Sequence, residues 1–146
     1  NTKKVDELIL LSIRKRYDEN ALEEIKFKIG KNKRAFLYRF YLDCFSGYDS
    51  QGLRWFKEHL LKQYLDNMSV EYLLEGLDYL SNARIGTKAL LGLEKIKIFH
   101  GAKDKIAPFE EAKEIKGSLP AAEFISLENS GHALFLGNDF KERFNG

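Results

Sequence analysis

Two loops hold the residues best suited to chemistry. His100-Gly101-Ala102-Lys103-Asp104-Lys105-Ile106-Ala107-Pro108 places an acid just past one alternating apolar segment, and Asn129-Ser130-Gly131-His132-Ala133 places a histidine just past another. An Asp that accepts from one imidazole nitrogen fixes the tautomer and stabilises the imidazolium, which leaves the other nitrogen free to take a proton from a nucleophile. Asp104 and His132 would then be two of three members of a triad. Spacing alone does not establish the pair, because an Asp and a His so placed are commonplace. The elements that carry them must bring the two loops together.

Those elements read as strands and helices in alternation. Val5 to Ser12, with Leu8-Ile9-Leu10-Leu11 at its centre, has the length and apolar character of a buried strand. From Asn20 to Asn82 the apolar period becomes helical. Asn20 with Glu23 reads as a capping box, followed by Leu22, Ile25 and Ile29 on one face and a stop at Gly30. Phe36, Leu37, Phe40, Tyr41, Cys44 and Phe45 form a second stripe, ended by Ser46-Gly47-Tyr48-Asp49-Ser50. Leu53, Phe56, Leu60, Leu61 and Tyr64 form a third, and Ser69 caps a fourth through Val70, Leu73, Leu74, Leu77 and Leu80. Beyond it, Lys95 to Gly101 alternates as a strand, Pro108 suits the first turn of a helix, and Glu123 to Leu127 is a further strand. Strands alternating with helices imply a parallel sheet, so the expected class is α/β with a helical insert. In such a sheet, groups at the carboxyl ends of neighbouring strands converge on one crevice.

The order strand, HGxxDxIxP, helix, strand, SGHA resembles the last third of the α/β-hydrolase fold. The insert before it is similar to the lid of esterases that act on pimeloyl-acyl-carrier-protein methyl ester in biotin synthesis, through Glu75-Gly76-Leu77-Asp78-Tyr79-Leu80, Lys97-Ile98-Phe99-His100-Gly101 to Asp104, and Arg39-Phe40. The resemblance implies Asp104 as triad acid, His132 as general base, and Val5 to Ser12 as the core strand before the lid. It divides the chain into residues 1–17 (core strand and approach to the lid), 18–86 (four-helix lid) and 87–146 (carboxy-terminal core). Ile25 and Ile29 are the expected acyl-channel residues, with Arg34 and Arg39 also expected to contact substrate. No cofactor is required.

One departure is large. The nucleophile of such enzymes sits in a GxSxG elbow ahead of the acid, and the sequence has none: its serines stand in contexts such as Phe45-Ser46-Gly47 and Asn129-Ser130-Gly131. The expectation is therefore a carboxy-terminal fragment of a serine carboxylic-ester hydrolase, inactive by itself, which self-associates or stays bound to the missing amino-terminal half. A thioesterase or lactonase of the same fold, and a non-catalytic interaction module, are the alternatives. A GxSxG upstream discriminates enzyme from module.

Composition narrows the classes. Twenty-four basic and twenty-two acidic residues give a net charge of +2, which argues against bulk nucleic-acid binding. The basic residues are concentrated between Arg14 and Arg39, a stretch suited either to a solvated helix face or to docking an acidic partner such as acyl carrier protein. Cys44 is the only cysteine, so a disulfide framework is excluded and a reducing, cytoplasmic setting is expected, with Cys44 read as buried packing. His59 and His100 are read as isolated histidines, so no metal is expected. No apolar run approaches the length of a membrane span.

Overall fold

A computed structural model describes residues 5–45 and 50–145. Three parallel strands, β1 (Leu8–Leu11), β2 (Ile96–Gly101) and β3 (Glu123–Leu127), lie side by side in chain order. The register pairs Leu8 with Ile96, Leu10 with Ile98, and Ile98 with Phe124, so these side chains share one face. On it they pack against Ala112 and Ile115 of α6 (Phe109–Gly117) and against Leu119, which are all buried. The alternate positions Ile9, Phe99 and Ile125 face the other way, onto Leu134 and onto Phe140 of α7 (Asn138–Asn145). A strict period of two thus sorts one sheet onto two cores. Between Ile98 and Phe99, both 0% exposed, the centre of the sheet is sealed.

Four helices lie between β1 and β2 ahead of one short turn: α1 (Glu19–Phe45), α2 (Ser50–His59), α3 (Leu61–Asn67), α4 (Val70–Asn82) and the single turn α5 (Thr87–Leu90). The N-cap of α1 is Asp18 rather than Asn20, since Asp18 Oδ1 accepts from Ala21 N at 2.9 Å. The chain does not stop at Gly30. It kinks two residues later at Asn32 (φ −159°, ψ 86°), whose Oδ1 accepts from Ala35 N at 2.9 Å and so starts the second half as an internal cap. The expected third helix is divided at Leu60 into α2 and α3, and Ser69 caps α4 as expected, its Oγ accepting from Tyr72 N at 3.1 Å. Pro108 stands at the cap of α6, one position before its first turn. The expected turn at Ser46-Gly47-Tyr48-Asp49 lies outside the described residues.

A third apolar cluster joins the insert to the sheet's loops. Cys44, Phe45 and Phe56 are buried, and packed against them are the half-buried Tyr41 and Leu61 on the insert side and Ile106, Ala133 and Leu136 from the segments after β2 and β3. Ring centroids lie 5.4 Å apart for Tyr41–Phe56 and 5.3 Å for Phe45–Phe56, a spacing worth about 0.5–1.5 kcal/mol per pair beyond the area buried.

Candidate active site

β2 ends at Gly101, and the loop that follows folds tightly around one carboxylate. Asp104 N donates to Gly101 O at 3.1 Å, and Asp104 Oδ1 accepts from both Ile106 N and Ala107 N at 2.8 Å. The side chain is fully enclosed, yet its second oxygen, Oδ2, lies 2.9 Å from His132 Nδ1. A carboxylate only accepts, so Nδ1 carries the proton and Nε2 is left as the acceptor. His132 is 29% exposed and lines a cavity of about 1030 Å³ between the insert and the loops.

The walls of that cavity include Ile25, Ile29, Phe40, Leu73 and Leu77, so the two isoleucines expected in an acyl channel share a space with His132. Arg39 also lines it and pairs with Asp43 at 3.2 Å. Arg34 does not. It pairs with Asp66 of α3 and lines a separate surface groove with Tyr38, Lys57, Leu61 and Lys62. Positions five apart on a helix differ by about 140° in direction, which puts the two arginines on different faces. The basic stretch is also partly neutralised locally: Lys26 pairs with Asp78 at 2.6 Å and Lys28 with Glu24 at 2.6 Å.

The loop carrying His132 is held on several sides. Lys103 N donates to Ser130 O and Ala102 N to Leu127 O, each at 3.0 Å, which binds the acid loop to the histidine loop. Gly101 permits this approach, because a Cβ there would fall inside the radii of Ser130 O and Gly131 O, with Ser130 C only 2.7 Å away. Ala133 N donates to Cys44 O at 3.0 Å, and Ser12 Oγ donates to His132 O at 2.7 Å. The sequence reading missed Ser12 and the packing role of Gly101. The glycine at the end of the strand was a legible signal; nothing in the sequence marks the serine.

His100 is a further residue of the site. It is 0% exposed, its Nε2 donates to Ala107 O at 3.0 Å, and Nδ1 is buried without a partner. Nε2 stands 3.7 Å from Asp104 Oδ2, too far to compete with His132. Burial holds its imidazole below the ordinary 6.5, against the opposing pull of the Ala107 carbonyl and Asp104. As pH falls, the unfolded chain takes up this proton first, so stability present above the unfolded value is lost as pH drops below about 6.5. His100→Asn is therefore expected to flatten the acid-side decline in melting temperature between about pH 7 and 5. Melts of the two proteins that decline in parallel would contradict this.

The other candidates carry no chemistry. Burial pushes the Cys44 thiol up to about 12, which makes it inert packing. His59 stacks on Trp55 with centroids 5.0 Å apart. Among the described residues no group of three or more His, Cys, Asp or Glu side chains is placed to hold a metal ion.

No protein-family model matches the sequence. A stretch of 48 residues, 33% of this chain and 17% of the relative, is 46% identical to the AB hydrolase superfamily protein YisY of Bacillus subtilis (strain 168). The esterase EaEST from Exiguobacterium antarcticum superposes over 98% of this chain with a TM-score of 0.75 at 20% identity. The fold is that of the α/β-hydrolases. MGS-M2, an α/β hydrolase enzyme from a Medee basin deep-sea metagenome library, aligns over 95% of the chain with a TM-score of 0.72 at 17% identity. The chain spans 55% of EaEST and 53% of MGS-M2, about half of each, and its parallel strands and helices correspond to a carboxy-terminal part of the α/β-hydrolase fold.

Proposed function

We propose that this chain supplies the general base, the acid that orients it and the acyl cavity of a serine carboxylic-ester hydrolase whose nucleophile and oxyanion hole lie in a preceding half. The observation that carries this is the His132 Nδ1–Asp104 Oδ2 bond at 2.9 Å, with His132 lining an apolar cavity. His132 Nε2 takes the proton of the serine as its oxygen attacks the ester carbonyl, then gives it to the departing alcohol; water repeats the exchange on the acyl-enzyme. Among the described residues β1 pairs with β2 alone, so its other edge is open to a strand of the missing half or to a second copy of the chain.

The finer reading is a pimeloyl-type methyl ester carried by acyl carrier protein, in a reducing, cytoplasmic setting. Ile25 and Ile29 line the chain's path, Arg39 stands at the cavity, and Arg34 with Lys57 and Lys62 offers a basic groove to an acidic carrier. No helix among the described residues is long and apolar enough to cross a membrane.

The test assays the full-length polypeptide on free aryl esters and on a carrier-linked ester, with and without Arg34→Glu/Arg39→Glu. Turnover of both is expected, with kcat/KM on free esters rising by up to about fourfold per added methylene while the cavity has room. The double reversal is expected to weaken the carrier-linked reaction more than the free one, and added salt is expected to shrink the difference. No turnover at all would make the chain part of an interaction module. Equal effects on the two substrates would reduce the arginines to a solvated face.

A further inference from the structure

We propose that Ser12 is a positioning residue for His132, acting through the peptide that joins His132 to Ala133. That peptide is gripped at both ends. Its carbonyl, His132 O, accepts from Ser12 Oγ at 2.7 Å, and its amide, Ala133 N, donates to Cys44 O at 3.0 Å. One grip comes from the end of β1 and the other from the end of α1, so a core strand and the insert jointly fix the plane that follows the histidine. With that plane fixed, the His132 Cα–C bond is held, the Cα–Cβ bond keeps only the rotation about that axis, and the contact of the ring with Asp104 restrains that rotation. Two constraints on the main chain and one on Nδ1 thus restrain the ring that lines the cavity.

The backbone of Ser12 shows that this grip is imposed. Ser12 is the non-glycine among the described residues with positive φ, at 48°. An L residue in that region is strained, and such outliers persist where the surroundings over-determine them. Ser12 N still donates to Phe99 O at 3.0 Å, so the ladder to β2 continues up to the residue whose backbone turns. A serine in a turned backbone at a strand end also invites reading as the nucleophile. Its hydroxyl proton, however, is directed to the His132 carbonyl and not to Nε2, and Leu10-Leu11-Ser12-Ile13-Arg14 is no GxSxG elbow.

This inference rests on the esterase reading, and the experiment separates the two. In the full-length polypeptide, kcat, KM and melting temperature are measured for Ser12→Ala, Ser12→Gly and Ser12→Thr beside His132→Ala. Glycine relieves the positive φ but has no hydroxyl; threonine keeps the hydroxyl but is more strained there. Ser12→Ala and Ser12→Gly are expected to lose about tenfold in kcat with KM within about twofold, as a misaimed base would. Ser12→Thr is expected to keep most of kcat while melting below Ser12→Gly, so activity and stability move in opposite directions. A fluorophosphonate probe is expected to label a serine other than Ser12. The proposal is overturned by kcat that simply follows melting temperature across the variants, by alanine and glycine variants that keep wild-type kcat, or by label on Ser12. Undiminished turnover by His132→Ala would instead remove the esterase reading beneath it.

Discussion

His132→Ala is expected to abolish ester turnover in the full-length polypeptide, and Asp104→Asn to lower kcat by roughly four decades while leaving the fold intact. The geometry explains why the subtler change is so damaging. Asp104 Oδ1 accepts two backbone amides at 2.8 Å, so an asparagine at this position keeps its oxygen there and turns its amide nitrogen toward His132. That nitrogen donates where Oδ2 accepted, which forces the ring proton onto Nε2. His132 is then oriented but holds the wrong tautomer and cannot receive a proton from serine. The check is kcat on an aryl ester together with a thermal melt of each variant. Turnover within about tenfold of wild type for Asp104→Asn would break the link between this pair and catalysis.

Gly101→Ala is expected to damage both stability and turnover. Its Cβ would collide with the carbonyls of Ser130 and Gly131, which are backbone atoms and cannot rotate away as a side-chain tip would. Relief requires parting the two loops, which strains the bonds from Lys103 N to Ser130 O and from Ala102 N to Leu127 O. The expected cost in stability is at least the upper end of the roughly 1–3 kcal/mol of ordinary overpacking. A shift of the histidine loop by about 1 Å would also cost about a hundredfold in kcat. Denaturant unfolding and kcat at a temperature where the variant is folded measure the two effects separately. A variant with wild-type stability and rate would mean that the loops yield without moving His132.

Much of this was legible because it depends on period and residue type. The alternation of Ile96, Ile98 and the Glu123–Leu127 segment marks strands whatever they pack against, and an acid and a histidine after consecutive strands are brought to the same end by parallel pairing. Ile25 and Ile29, four apart, reach one cavity because four residues make just over one helical turn. Other features depend on what meets what in space. Asp18 and Asn20 are both good caps, and only the chain's path decided between them. The break at Leu60 carries no glycine or proline to announce it. Arg34 and Arg39 look alike in sequence and separate only when the helix is built. Ser12 was invisible because serine does not favour positive φ; its conformation follows from a partner 120 residues away.

The cluster around Cys44, Phe45 and Phe56 has a consequence for modular exchange. Ile106 from the acid loop and Ala133 and Leu136 from the histidine loop pack into it, and Ala133 N is bonded to the last turn of α1. An insert transplanted from another protein of this fold would bring its own helix end and its own aromatic rings beneath these loops. The graft boundary that preserves the loops therefore does not lie at the start and end of the insert. It must leave the last turn of α1 and Phe56 with the host and exchange the helical surface beyond them.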